Sequence, residues 1–107
     1  MIRNIKNFKS SAEIVYRTGD YTSSTLLYFK CLFVVLDLII LQKIGKTPKD
    51  HTERFNILRE RLSALYFVLD KYYPIYRQTY SLTIDKLTCD EVKQNVERII
   101  KEYKIDV

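Results

Sequence analysis

An almost unbroken apolar run, Leu26–Leu41, constrains the fold of this chain more than any other feature of its sequence. The run has sixteen residues and includes two charged ones, Lys30 and Asp37, whereas a helix that spans a bilayer needs about 20 mostly apolar residues. We therefore interpret it as a buried core helix and expect no membrane contact. Because a chain of this size has few elements to cover such a helix, the excess apolar surface predicts a homodimer interface.

The scarcity of turn-forming residues indicates an all-helical domain. The 107 residues include two glycines and two prolines, too few for a turn-rich β fold. The sequence has no internal repeat and no sustained alternation typical of strands, and its length fits a single domain, 1–107. We predict an all-α, antiparallel up-and-down helical bundle with four main helices and one short helix.

Local signals at the helix ends refine this prediction. Asp50 and Thr88 each stand three residues before a glutamate, as in a capping box, and Leu87 is placed to pack on Val92 as a hydrophobic staple. Pro74 disfavours helical geometry at the residue before it and can open a new helical turn. The first predicted helix runs from Ile2 to Val15 and is ended by Gly19, and the second runs from Asp20 or Thr22 to about Lys43 and is ended by Gly45. The third runs from Asp50 to about Tyr72 and is followed by a short helical segment over Ile75–Ser81. The last helix runs from Thr88 to Tyr103.

Charge and cysteine content narrow the classes of partner and compartment. The formal net charge is +5, which permits contact with nucleic acid or with acidic proteins. The basic residues are spread along the chain near acidic ones, so a charge that merely keeps the protein soluble is an alternative. The first fifteen residues carry charges and no apolar export segment, so we expect a cytoplasmic protein whose two cysteines, Cys31 and Cys89, stay reduced.

The sequence offers few residues for catalysis. His51 is the only histidine, and no local cluster of nitrogen and sulfur donors, Gly-rich phosphate loop or paired nucleophile is present, so we expect no metal, no cofactor and no catalytic residue set. Cys31 is interpreted as a small buried hydrophobe. Cys89 stands at a predicted helix start, where the helix dipole could activate it, but without a nearby histidine an inert thiol is the favoured interpretation.

Asp37 is a carboxylate inside the apolar run, and burial of such a group is costly unless it is paired. Lys30 lies two turns earlier on the same helix face, and Arg61 or Arg77 could reach it from neighbouring helices. Asp37 is therefore either half of a structural ion pair or a residue that orients an arginine at a site.

Tyrosine is abundant, with nine in the chain, and several are concentrated around one arginine. Tyr73, Tyr76, Arg77 and Tyr80 share one face if their segment is helical. Aromatic rings beside a fixed guanidinium can stack on nucleobases and hold phosphate. The alternative is that these tyrosines only pack at a bundle edge or at a dimer interface.

Four segments, taken in order, resemble the HEPN domain over most of the chain. They are Gly19-Asp20-Tyr21 before the long apolar helix, the loop Ile44-Gly45-Lys46-Thr47-Pro48-Lys49-Asp50-His51, the pair Tyr76-Arg77, and the final helix that begins at Thr88.

The resemblance implies a small, dimeric helical bundle, and in many members a pairing with a minimal nucleotidyltransferase in a prokaryotic toxin–antitoxin module. Active HEPN members are metal-independent endoribonucleases with an arginine and, a few residues later, a histidine at the dimer cleft. Arg77 matches the arginine, but the positions where the histidine would stand hold Leu82, Thr83 and Ile84. None of these can transfer a proton as histidine does.

We therefore predict a non-catalytic module that binds RNA, a nucleotide or a nucleotidyltransferase. The alternatives are a divergent endoribonuclease that uses Arg77 with His51 or Tyr80, and a structural helical dimer without a ligand. Tyr80 is also a candidate acceptor for modification by the nucleotidyltransferase. The residues predicted to line the binding cleft are Arg77, Tyr73, Tyr76, Tyr80, Asp37 and His51.

Overall fold

The structure, a computed structural model that describes all 107 residues, consists of five α-helices joined by short connections. The predicted all-α bundle is therefore confirmed. The helices are α1 (Ile2–Arg17), α2 (Tyr21–Ile44), α3 (His51–Arg61), α4 (Ser63–Gln78) and α5 (Lys86–Glu102).

Contacts between helices give the direction of each one. On α2, Ser24 hydrogen bonds to the carbonyl oxygen of Ala12 and Cys31 to that of Ile5, so α1 and α2 are antiparallel. At the start of α5 the Ile84 N–H donates to Thr22 Oγ1 at 2.8 Å, and near its end the ring of Tyr103 lies under Lys43. Helix α5 is therefore parallel to α2.

Helices α3 and α4 form an antiparallel hairpin that packs against α2. The rings of Phe55 and Tyr73 lie 4.9 Å apart, and those of Phe55 and Tyr66 lie 6.3 Å apart. Phe29 of α2 contacts Tyr76, and Phe33, one turn later, also contacts Tyr73, one turn earlier on α4, so α4 is antiparallel to α2. The main bundle is thus α1, α2, α4 and α5 in alternating directions, with α3 as the short helix.

The predicted bounds are wrong in the middle of the chain. The helix expected from Asp50 to Tyr72 breaks at Leu62, which has a non-helical backbone (φ −140°, ψ 61°), and Pro74 lies inside α4 instead of opening a short segment. Proline is tolerated there because Pro74 and Asp70, whose carbonyl loses its helical partner, are both exposed. Hence the short helix is α3 and not Ile75–Ser81.

Carboxylates cap three of the helices. Asp50 caps α3, as predicted, and of the two candidates for the start of α2, Asp20 and Thr22, the cap is Asp20. Asp85 caps α5 by accepting a hydrogen bond from the Thr88 N–H at 2.8 Å, so α5 begins before Thr88 and the predicted Thr88 cap is wrong. Leu87 is 79% exposed and forms no staple. At the end of α2, Gly45 adopts the left-handed conformation (φ 86°), as expected.

Helix α2 is the centre of the core. Eleven of its residues are buried, among them Tyr28, Phe29 and Leu36, and they pack against Ile5 of α1 and Val96 of α5, among others. Helix α2 is also the one helix that is long and apolar enough to cross a membrane, and 61% of its most apolar window is buried inside the bundle.

One stripe of α2 is not fully covered by the bundle. Its residues are half-buried or exposed, and Leu41 at its end is 39% exposed. We call this set the open stripe of α2, and it consists of Leu26, Leu27, Lys30, Val34, Leu38 and Leu41.

Candidate functional site

An aromatic cluster lies where the α3–α4 hairpin meets the middle of α2. The ring of Phe33 lies 4.7 Å from that of His51 and 5.0 Å from that of Tyr76. Tyr73 completes the cluster, with its ring 5.7 Å from His51. These rings pack edge to face or tilted against one another, a favourable geometry for aromatic pairs.

A bidentate ion pair lies beside the aromatic cluster. Arg54 Nε donates to Asp37 Oδ1 at 2.7 Å and Arg54 Nη2 donates to Asp37 Oδ2 at 2.9 Å. The two side chains are 9% and 18% exposed, and the guanidinium lies 5.0 Å from the centre of the Phe33 ring. Charged groups with this little exposure need partners of good geometry.

The structure thus gives Asp37 a partner that the sequence analysis did not name. Lys30, Arg61 and Arg77 were the expected candidates, and none of them pairs with Asp37. Arg54 is placed there because α3 runs alongside α2 in the same direction, so that the start of α3 meets Phe33 and its next turn meets Asp37. The ion-pair partner of Asp37 is therefore Arg54.

His51 is held by the same arginine. Arg54 Nη1 lies 2.6 Å from His51 Nδ1, and because a guanidinium has no acceptor, Nδ1 is the acceptor and the neutral ring carries its proton on Nε2. Burial, and then the charge of Arg54, lower the pKa of His51 below its usual 6.5. His51 accordingly presents an N–H donor to its surroundings and not a base.

Tyr80 extends the aromatic cluster toward solvent. Its hydroxyl lies 2.8 Å from that of Tyr76, and its ring packs on the Tyr76 ring at 5.6 Å while remaining 70% exposed. This hydrogen bond, with burial, raises the pKa of Tyr76 to about 12. Tyr80 is therefore an exposed ring that is held in place by the hydroxyl and the ring of Tyr76.

Arg77 lies on the face of α4 next to the one that carries Tyr73 and Tyr76. It is exposed, and with Pro74, Gln78 and Ser81 it lines a shallow, polar depression of the surface. No ion pair, side-chain hydrogen bond or cation–π contact involves Arg77, so its guanidinium is free. Of the six predicted residues, the structure therefore joins five through the aromatic cluster and the ion pair, and leaves Arg77 beside them without a contact.

Sequence reasoning missed two residues of this arrangement, Phe33 and Arg54. Phe33 was hidden in the apolar run. Arg54 stands one turn after His51, a spacing that puts two side chains on one helix face, and this was the only available signal for it.

No group of three or more histidine, cysteine or acidic side chains is arranged to hold a metal ion. Both cysteines are buried in the core, and burial raises the pKa of the Cys31 thiol to about 12. A buried thiol of this kind is a poor nucleophile, because the thiolate is the reactive form.

A comparison with known proteins gives no match to a family model, to a curated protein or to a solved structure. The resemblance to HEPN domains therefore stays a prediction from the sequence. What the structure supports is the fold class, an all-α bundle.

Proposed function

We propose that this protein is a non-catalytic RNA-binding module that holds single-stranded RNA on α4, with Tyr80 stacking on a base and Arg77 contacting a phosphate. The observation that carries the proposal is a free guanidinium, Arg77 near the end of α4, three residues before an exposed aromatic ring, Tyr80, which is held by Tyr76 in the turn after the helix. Proteins that bind single strands combine positive charge with such stacking platforms.

The charge environment supports Arg77 as the phosphate contact. Two exposed basic side chains of this protein are paired with an acid one turn away, Lys86 with Asp90 and Arg98 with Glu102. Arg77 has no such partner. The net charge of +5 further favours an anionic ligand.

The state of His51 supports a binding role rather than cleavage. Attack by a ribose 2′-hydroxyl needs a base that can accept its proton. His51 Nδ1 is occupied by Arg54 at 2.6 Å and its other nitrogen carries the proton. Tyr80 is no substitute, since its hydroxyl is already hydrogen bonded to that of Tyr76 at 2.8 Å.

Binding of a labelled single-stranded RNA, measured by fluorescence anisotropy over a series of salt concentrations, tests this proposal. Stacking on one aromatic ring contributes about 1–3 kcal/mol, so we expect Tyr80→Ala to weaken binding by roughly five-fold or more and Tyr80→Phe to retain it. Arg77→Ala should weaken binding and reduce its salt dependence, because one phosphate contact is lost.

Arg98→Ala is the matched control, because Arg98 is also exposed but is paired with Glu102. Equal affinity of Arg77→Ala, Tyr80→Ala and the unmodified protein would contradict the proposal. RNA cleavage that depends on Arg77 would instead favour the divergent endoribonuclease.

A second proposal, self-association, is favoured by the open stripe of α2. Five of its six residues are apolar, and the bundle covers them only in part. Large apolar patches on a small domain mark sites of protein contact, and we propose that a second copy of the chain covers this one. A minimal nucleotidyltransferase as a further partner, a toxin–antitoxin role and a cytoplasmic location remain proposals that rest on the sequence.

A further inference from the structure

We propose that His51 is a proton-sensitive latch that fastens the first turn of α3 to α2 when it is neutral and releases that turn when it is protonated. The geometry that carries this inference is the 2.6 Å contact between His51 Nδ1 and Arg54 Nη1, together with the packing of the His51 ring 4.7 Å from Phe33. The proposal does not depend on RNA binding by α4.

The contact with Arg54 requires neutral histidine. A protonated ring has N–H groups on both nitrogens, so Nδ1 would meet the guanidinium donor to donor and cation to cation. His51 is also the first residue of α3, where the positive end of the helix dipole disfavours a cation. Each of these effects opposes the protonated form in the place that the ring now occupies.

The acidic groups around His51 are already occupied. Asp37 of α2 accepts two hydrogen bonds from Arg54, and Asp50 of the preceding loop accepts the N–H of Glu53. Neither is hydrogen bonded to the imidazole, although both favour its protonation from a distance.

The remaining neighbours give the imidazolium no compensating charge. Lys30 of α2 opposes protonation together with Arg54. Helix α4 faces the imidazole with the aromatic rings of Tyr73 and Tyr76. The lowered pKa of His51 is consistent with this balance.

Release would be local because α3 depends on packing. It has 11 residues, and isolated helices shorter than about 12–15 residues are marginal in water. Its later part stays anchored by the ion pair of Arg54 with Asp37 and by the buried Ile57 and Leu58. Protonation should therefore free the first turn of α3 and uncover Phe33 and Tyr73, while the four main helices hold.

NMR of the intact protein tests the latch directly, because the single histidine gives one imidazole signal. We expect its titration midpoint below 6.5. Hydrogen-exchange protection factors of amides in the first turn of α3, such as that of Arg54, should fall with the same midpoint between pH 7.5 and pH 5. Protection in α1 and α5 should stay constant over this range.

His51→Gln is the control, since a glutamine oxygen can accept from Arg54 and does not titrate in this range. The protection of α3 in this variant should be independent of pH. Three results would overturn the proposal: a midpoint at or above 6.5, unchanged protection of α3 while His51 titrates, or the same loss of protection in His51→Gln.

Discussion

Tyr28 carries the one buried side-chain polar atom that lacks a hydrogen-bond partner. The residue is fully buried between α1, α2 and α5, and this burial raises the pKa of its phenol. A buried, unsatisfied hydroxyl costs about 1–3 kcal/mol, whereas an apolar group of the same shape carries no such cost. The hydroxyl of Tyr28 is thus a source of instability inside the core, where the other buried polar side chains are hydrogen bonded.

We expect Tyr28→Phe to raise the free energy of unfolding by about 1 kcal/mol, because it removes the unpaired hydroxyl and keeps the ring. Urea unfolding followed by circular dichroism measures this change. Tyr72→Phe is the matched control, since the Tyr72 hydroxyl donates to Glu91 at 3.2 Å, and this substitution should leave stability unchanged or lower it. A Tyr28→Phe protein that is less stable than the unmodified one would contradict the argument.

The ion pair between Arg54 and Asp37 gives a second prediction at the residue scale. Arg54→Ala leaves the Asp37 carboxylate, 18% exposed, without its partner, and we expect a loss of about 3 kcal/mol in the free energy of unfolding. Replacing both residues by apolar ones of similar size, as in Asp37→Leu with Arg54→Met, should restore most of this loss. Urea unfolding of the two variants measures both changes.

Arg98→Ala serves as the comparison for this pair, because Arg98 and Glu102 are 47% and 53% exposed. Exposed pairs contribute about 0–1 kcal/mol, so this variant should unfold nearly as the original protein does. If Arg54→Ala behaves like Arg98→Ala, the carboxylate of Asp37 is better solvated than its burial indicates.

At the scale of helices, local signals that act within one turn predicted the end of α2 at Gly45 and the start of α3 at Asp50. They left Asp20 and Thr22 as candidates for the start of α2, and they placed the start of α5 at Thr88, three residues after its actual cap Asp85. No local residue pattern marks the break between α3 and α4 at Leu62, because the apolar stripe of the sequence continues through it. The break is set by the packing of α3 against α4 in the hairpin. The pairing of Asp37 with Arg54 depends on the same hairpin, so neither was predictable from local spacing.

Pro74 within α4 gives a prediction at this scale. It has no N–H to donate to the carbonyl of Asp70, and proline in a helix interior is about 3 kcal/mol less favourable than alanine. We expect Pro74→Ala to raise the free energy of unfolding by about 1–2 kcal/mol, the gain being reduced by the greater freedom of the unfolded chain. Thermal unfolding should show a correspondingly higher Tm.

Pro48→Ala separates these two effects, since Pro48 lies in the loop between α2 and α3. There the substitution only adds freedom to the unfolded chain, so a slight loss of stability is expected. A loss of stability in Pro74→Ala as well would show that the rigid ring contributes more to α4 than the missing hydrogen bond costs.

At the scale of the whole molecule, the open stripe of α2 bears on whether the protein is a monomer or a dimer. The bundle has a surface of 6341 Å², and a standard interface covers about 800 Å² per partner, or about one eighth of it. Helix α2 is 24 residues long, which at about 1.5 Å per residue gives a stripe of sufficient length for such a contact. A second copy seated on this stripe would pack the leucines of one protomer against those of its partner.

We expect the protein to sediment at twice its chain mass of 12.8 kDa, and Leu41→Lys to shift it toward the monomer, because a charge would then be buried at the contact. Leu87→Lys makes the same chemical change at a residue that is 79% exposed and lies on α5, so this variant should remain dimeric. Sedimentation equilibrium over a range of concentrations gives the dissociation constant of each protein. If the unmodified protein is a monomer, or if the two variants dimerise equally, the open stripe of α2 is not an interface between copies. The end of α4 would then be the one surface with a proposed ligand.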